Sequence, residues 1–556
     1  MLRSQELAQA FIPVKQLEVM PEVQQDLTPG ALTQLRMVVP GYLGFMNPAD
    51  TRLQYELTMA GRGQPHPNPR AGAHAVWKNL RIQDGGGQTT LEEISDYNVL
   101  VAQTWGYSQN DSISQKRALF EGRQQDPSKD HNIFWAGAEA WQDGAVTAAK
   151  TPNTLQMEHQ IHSGIFQSDK VFPLVASGGL RVQMEIEATQ QALVYATGSE
   201  GTDYGTALAN AYHLAVALSI GDDDKSAIDD EFSVIVQLNS VASTGIGPYA
   251  SAAPWNNNAW SIGDMLYVAD SGTAYTNEEE LGIITSFDID TTRLKVSYIP
   301  NRAFGDKLTK NHVIGSALYV KMADRLYGLT VANTNMPDPQ ITLVAVATSY
   351  TISNVKLLTS VVSPPEPYVK AMLEQAQSEK GLALDIKTWT LVRSNLNAQR
   401  GITSQMIPTT ETRVYSVLSV PLAQEYQGQL TLDSLGGVVD FGQDYQYVFG
   451  GQLVPDRNIS LARYSQTVPR SDALHLMELE KALANCGVPV RDLQRAPQKF
   501  LIGRAWSRYG QVADLSVRDL SLRVNYSSSA SLTKLFEHYI CHLRRVVFST
   551  AGVRAF

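Results

Sequence analysis

The sequence predicts an all-β protein with a few short helices, made of two sandwich- or barrel-like domains of one kind in tandem. Three observations carry the prediction. In Leu180–Ala188, apolar Leu180, Val182, Met184 and Ile186 alternate with polar Arg181, Gln183, Glu185 and Glu187. Successive side chains of a β-strand point to opposite faces, so this period of two describes one dry and one wet face. The pattern returns far downstream, where Leu520, Leu522, Val524 and Tyr526 alternate with Ser521, Arg523 and Asn525. A short apolar run lies ahead of each copy: Val171–Ala176, closed by the turn Ser177-Gly178-Gly179, and Phe500-Leu501-Ile502. The third observation is size. A chain of 556 residues exceeds one hydrophobic core and fits two or three domains.

Each element follows from its local signals. Residues 1–30 read as a polar arm with apolar anchors at Phe11, Ile12, Val14, Leu17 and Val19, ended by Thr28-Pro29-Gly30. Such an arm either frays or orders against a neighbouring subunit. Strands are expected at Leu35–Pro40, at Thr51–Leu57 and at Ala75–Ile82, the last anchored by Trp77. The Gly/Pro/His stretch 61–72 and the Asp84-Gly85-Gly86-Gly87 turn separate them. Those glycines lack the GxxxxGK[ST] spacing of a phosphate loop. Thr90-Leu91-Glu92-Glu93 has the spacing of a capping box and predicts a short helix carrying Ile94 and Tyr97 inward. Residues 100–170, with Trp105, Tyr107, Phe134, Trp135 and Trp141, read as long loops and short helices.

From about 195 to 340 Gly, Ala, Ser, Thr and Asn rise, and acidic clusters appear at Asp222–Asp224, Asp229–Glu231 and Glu278–Glu280. A hairpin is legible there: Leu281–Ile289, the turn Asp290-Thr291-Thr292, and Arg293–Ile299, with a further strand at Gly263–Val268. This block reads as a β-rich insertion in the first domain. Strand pattern resumes at Ile341–Val346 and Asn354–Val362. Ser363–Pro367 then breaks the sheet and opens a helix with Val369, Met372, Leu373 and Ala376 on one side, stopped by Gly381. Strands follow near Leu384–Val392, Val414–Val420 and Tyr445–Leu453. A helix is expected from Asp472 to Asn485, with Ser471 as N-cap and Leu476, Leu479 and Leu483 facing inward. Tyr539–Phe548 is the last strand. The expected division is an arm (1–30), a first domain (31–365, insertion 195–340), and a linker helix with a second domain (366–556).

Composition narrows the function. Apolar residues make up 43% of the chain, ordinary for a globular protein. The net charge of −10 and the pI of about 5.5 argue against direct nucleic-acid binding, which needs a surplus of Lys and Arg on some face. Two cysteines, Cys486 and Cys541, exclude a disulfide scaffold and read as reduced, buried thiols, although their number allows one bridge. No run of about 18 apolar residues is present, so no membrane-spanning helix is expected. The N-terminus lacks the layout of a signal peptide, which points to synthesis and assembly in a reducing compartment.

No catalytic constellation stands out, so no catalytic, cofactor-binding or metal-ligating residue is assigned. His538 and His542 flank Cys541, but the segment reads as strand, where residues four apart lie about 13 Å from each other. His159-Gln160-Ile161-His162 is equally weak. The acidic clusters lack the spacing of a calcium loop. No GxSxG elbow is present. Three sequons, at Asn110, Asn458 and Asn525, have no secretion signal to support them.

The order of features resembles the double jelly-roll major capsid proteins of the virophage and polinton-like virus group, and more distantly those of large eukaryotic DNA viruses. The residues that carry the likeness are Asn47–Tyr55, Trp77–Ile82, Gly85–Gly87, Leu91–Ile94, Asp96–Asn98, Phe172–Val175, Leu180–Glu187, Tyr350–Val355 with its Pro-rich helix, Phe500–Arg504, Gln511, Leu520–Tyr526 and Val546–Val553. It spans about 35–190 and 340–556 and omits the insertion. The resemblance implies two jelly rolls side by side, perpendicular to a capsid surface. It implies a homotrimer whose six barrels make a pseudo-hexagonal tile of an icosahedral shell. Insertion loops would face outward and the termini inward. Its implied partners are further copies of itself, penton proteins and minor capsid proteins, in the virion. Trp77, Phe172 and Leu180 are expected to anchor the first barrel, and Phe500 and Leu522 the second.

Two other classes compete. A β-rich adhesin or fibre-like glycan-binding protein is suggested by the Gly/Ser/Thr/Asn-rich insertion. A carbohydrate-active sandwich enzyme needs paired carboxylates about 5–10 Å apart. The duplicated strand pattern favours the capsid reading, and the chain is about twice the length of a single jelly-roll penton domain.

Overall fold

The computed structural model describes residues 14–61, 66–68, 70–108, 121, 153–194, 348–396, 401–424, 435, 437–438, 442–461, 473–491, 500–507, 512–526, 533–549 and 552–556, with the backbone of further strands between 211 and 342. The first half carries β1 (Val14–Val19), β2 (Gln34–Pro40), β3 (Phe45–Gly61), the short β4 (His66–Pro67), β5 (Trp77–Asp84), β6 (Thr90–Ile94), β7 (Asn153–Gln160), β8 (Gly179–Ile186) and the short β9 (Leu193–Val194). Next come β10 (Ala211–Ser219), β11 (Ser233–Leu238), β12 (Met265–Ala269), β13 (Glu279–Asp288), β14 (Arg293–Ser297) and β15 (Ala317–Lys321), which close on one another as a barrel. The pair β16 (Thr330–Val331) and β17 (Ile341–Thr342) leads into the long β18 (Thr348–Val362). The second half carries β19 (Leu382–Leu396), β20 (Gly401–Ile407), β21 (Val414–Ala423), β22 (Gly442–Phe449), β23 (Gln452–Ser460), β24 (Ile502–Ala505), β25 (Leu520–Tyr526), β26 (Lys534–Ser549) and β27 (Gly552–Ala555).

Strand order decides the fold. Counting β1, β2, β3, β5, β6, β7, β8 and β18 as strands one to eight, the first half forms sheets in the order 1-8-3-6 and 2-7-4-5. Counting β19 to β26 in the same way, the second half forms 1-8-3-6 and 2-7-4-5 again. Eight antiparallel strands in two facing sheets with these crossovers make a jelly roll. The chain is a double jelly roll.

The equivalence extends beyond the sheets. A helix lies between the fifth and sixth strands of each box, Tyr97–Ser108 in the first and Ala473–Asn485 in the second. The two alternating segments that announce the fold are both the seventh strand. β8 lies between β2 and β5, so that Val182 pairs with Met37 on one side and Ile82 on the other. β25 lies between β20 and β22, with Leu522 opposite Gln405 and Tyr447. Leu180, Val182, Met184 and Ile186 are buried, as are Leu520, Leu522, Val524 and Tyr526. Each such burial contributes about 1.5–3 kcal/mol, and a one-residue slip would turn the whole set to water.

Successive strands run in opposite directions, so the connections gather at two ends. At one end Gly41, Gly85 and Gly178 meet so closely that a Cβ on Gly41 or Gly85 would strike the Gly178 backbone. At the other, β4 pairs with β9, and the barrel of β10 to β15 departs between the seventh and eighth strands. β1 begins and β26 finishes at the end away from that barrel.

Several sequence expectations hold. The helix after the Pro-rich break is Glu366–Gln377, with Met372 and Ala376 buried. The insertion hairpin forms, with Asp288 opposite Arg293. Trp77, Phe172, Leu180, Phe500 and Leu522 are all buried. Ser471, Phe134, Trp135, Trp141, the insertion turn and the acidic clusters 222–224 and 229–231 lie outside the described residues.

Others are corrected. Thr90–Ile94 is a strand, not a capped helix: Glu93, the carboxylate of that capping spacing, is bound by Arg81 of the neighbouring strand β5 at 2.9 Å, and the helix starts at Tyr97. That helix buries nearly its whole circumference, so it has no amphipathic stripe to read. Val171–Ala176 is no strand: only Phe172 bridges, to Met46, and Leu174–Ser177 is one helical turn. The run 445–453 is a hairpin split at Gly450 and Gly451, whose φ values of 55° and 80° suit a tight turn. Within the segment read as an arm, Val14–Val19 pairs with β18 as the outer strand of the first box.

Candidate functional site

The most built polar region of the molecule is the seam where the two boxes meet. It forms on the 1-8-3-6 sheet of the second box, whose eighth strand is buried without interruption from Phe536 to His542. A sheet with one wet face would show alternation there. Here Phe536 and Ile540 join the interior of the second box, while Tyr539 and Cys541 join a core shared with the first box. Leu384, Ile386, Trp389, Val546 and Phe548 belong to the same shared core. Phe172 sits at this boundary rather than deep in the first barrel, its ring edge-on to Phe548 at 5.7 Å.

Within this apolar contact lie two polar clusters. The first centres on Glu92 of β6, which is fully buried. Its carboxylate accepts from the amides of Gly164 at 2.7 Å and Ile165 at 3.1 Å, and from the Thr388 hydroxyl of β19 at 2.8 Å. Burial raises its pKa, and the three donors pull it back part of the way. Gly164 packs against the Lys387 carbonyl so tightly that no Cβ fits. A glycine is therefore required at 164 for room, not for backbone conformation.

The second cluster centres on Arg393. Its guanidinium pairs with Asp96 of the first box and with Glu537 of β26, the latter at 3.1 Å. The Tyr539 hydroxyl lies 3.0 Å from the Asp96 carbonyl and 2.9 Å from Glu537 Oε2. Burial raises the pKa of Glu537 against the pull of Arg393. Asp96 adopts φ of 45°, a strained left-handed turn held by these partners. At the rim, Thr89 donates to the Val553 carbonyl at 2.9 Å and Arg544 to the Thr90 carbonyl at 3.1 Å, so β27 is also tied to the first box.

The histidines singled out in the sequence are interior groups. His538 lies 2.8 Å from Ser419 Oγ and 3.0 Å from Ser394 Oγ, and burial holds its pKa at about 3. His542 contacts Glu411 and Thr390. The His159 ring lies 4.0 Å from that of His74 in the first box, tilted by 51°. Cys486 and Cys541 are both free thiols. Among the described residues, no three His, Cys, Asp or Glu side chains stand where they could share a metal ion, and no helix is long and apolar enough to cross a membrane. The seam positions two folded bodies against each other. Glu92 and Arg393 are not legible in the sequence because their partners lie between 72 and 297 residues away.

No family model and no curated protein matches this chain. Solved structures do. The Faustovirus major capsid protein is similar over 97% of this chain and 91% of its own, at 8% identity and a TM-score of 0.48. PBCV-1 VP54, fitted into a reconstruction of the virophage Sputnik, is similar over 98% and 96%, at 8% identity and a TM-score of 0.44. The mavirus major capsid protein is similar over 97% and 90%, at 8% identity and a TM-score of 0.36. The double jelly roll itself is assigned from this chain's own strand order.

Proposed function

We propose that the chain is a viral major capsid protein, a structural tile and not an enzyme. The observation that carries this reading is the repetition of one eight-strand order in two boxes locked together by a buried seam. Three such chains around a threefold axis present six like-shaped boxes, which approximates a hexagon and so tiles an icosahedral shell. The trimer contact is heterologous and closes by rotation. Contacts between box walls also cover sheet edges that would otherwise template aggregation. The division into a first domain that runs to about 365, with β1 (Val14–Val19) as its outer strand, and a second within 366–556 belongs to this proposal.

The insertion leaves one end of the first box, and the start of β1, the linker and the finish of β26 gather at the other. This supports an orientation with the insertion barrel outward and the termini inward. Partners would be other copies of the chain, penton proteins and minor capsid proteins, in the virion, with assembly inside the host cell and no direct contact with the genome.

Native mass spectrometry and electron microscopy of the purified chain test the reading. The expected result is a stable trimer, three times the chain mass of 61.0 kDa, with hexagonal outline. A monomer at micromolar concentration that binds glycans would instead support the adhesin reading.

A further inference from the structure

The seam opens on one side into a cleft of about 520 Å³ whose walls come from both boxes. Trp105, His162 and Gln167 line it from the first box; Trp389, Cys486 and Arg491 line it from the second. The two indoles are nearly buried, at 8% and 6% exposure, and give the cleft flat apolar walls. Gln167 donates from its amide nitrogen to His162 Nδ1 at 2.9 Å, so the ring proton of neutral His162 resides on Nε2. That Nε2–H is buried and has no acceptor, and the side chain is 7% exposed. A buried donor with no acceptor on the wall of a cleft is free to bond a ligand that enters it. Among the described residues no Asp or Glu lines the cleft, and Arg491 adds an exposed cation at its edge.

We propose that this cleft binds a small organic anion: a carboxylate on a flat apolar body, the carboxylate taken by His162 Nε2–H and Arg491, the body set against Trp105 and Trp389. Burial keeps His162 neutral, with its pKa lowered to about 4, so the donor persists at neutral pH. A ligand touching both boxes binds their docked arrangement and not the separated one. It therefore stabilises the seam by mass action. The site depends on the box-to-box contact, and all of its named residues belong to one chain.

Benzoate is the probe, titrated into the full chain by calorimetry, with benzamide and benzylamine as comparators. Nine non-hydrogen atoms place the expected Kd at about 1 mM. Benzoate is expected to bind saturably and raise Tm, benzamide more weakly, and benzylamine not at all. Arg491→Gln, an exposed substitution that spares folding, is expected to weaken benzoate about fivefold and leave benzamide unchanged. His162→Phe, checked for folding by circular dichroism, is expected to weaken both. The proposal is overturned by benzylamine binding as tightly as benzoate, by Arg491→Gln leaving benzoate unaffected, or by no saturable heat up to about 20 mM.

Discussion

Glu92 on the fifth strand of the first box accepts a hydrogen bond of 2.8 Å from Thr388 on the first strand of the second box. Neither residue reaches solvent. The bond joins two domains at a point where each has given up water, and it sets the terms for what substitutions there should do.

Glu92→Ala strands two backbone amides and a hydroxyl in the seam. Each orphaned donor costs about 1–3 kcal/mol, so a loss of about 3 kcal/mol or more is expected. Glu92→Gln keeps one acceptor oxygen and is expected to lose less than half of that. Chemical denaturation of the purified chain measures both, and equal losses for the two variants would sink the account.

Gly164→Ala places a methyl group against the Lys387 carbonyl. Docking must open to admit it, with an expected loss of about 2–4 kcal/mol. Gly86→Ala is the control: its Cβ meets nothing nearer than 3.7 Å and its φ is not positive, so the change should stay within about 0.5 kcal/mol. Limited proteolysis should find the linker around 363–381 more readily cut in the first variant alone.

Arg393→Leu removes the cation between Asp96 and Glu537. The Arg393 side chain is 47% exposed, which screens the pair, whereas Glu537 is 2% exposed. The expected loss is about 2 kcal/mol. Adding Glu537→Gln should restore part of it, since no buried charge is then left alone; a strictly additive double mutant would contradict the pairing.

Acid should weaken the protein through its buried histidines. His162 and His538 have native pKa values of about 4 and about 3, below the unfolded value of about 6.5. Between those limits the unfolded chain binds more protons, so their contribution is complete above about pH 6.5 and is lost as pH falls, by about 2 kcal/mol per histidine from 6.5 to 5. Glu92 and Glu537 act in the opposite sense. Their native pKa values are raised, so stability falls as pH rises from about 4.3 toward those values. Thermal melts between pH 5 and 7.5 should therefore show a shallower acid loss in His538→Gln than in the wild type, and a steeper one in Glu92→Gln.

Several features were legible in residue order because they are local. A seventh strand with water on one face and core on the other must alternate, and both Leu180–Ile186 and Leu520–Tyr526 do so. Gly381 and the prolines near 365 punctuate the chain wherever it folds. Features that depend on a second buried face were not legible. Phe536–His542 lacks a clean period because two cores claim its two sides. Thr90–Ile94 looked like a helix start because Thr90 and Glu93 stand at a capping spacing; the partner that competes for Glu93 is Arg81, which reaches it only across the β5–β6 pair.

The sequence by itself determined that the chain is β, that one strand pattern occurs twice, and that its middle is an insertion, since hydrophobic period and turn residues act over a few neighbours. Only the tertiary structure decided that the two boxes share a core, that Glu92 and Arg393 are the polar pins of that contact, and that His162 keeps a spare donor in a cleft between them. Those outcomes depend on which surfaces lose water together, and residues hundreds of positions apart decide that only once the chain has folded.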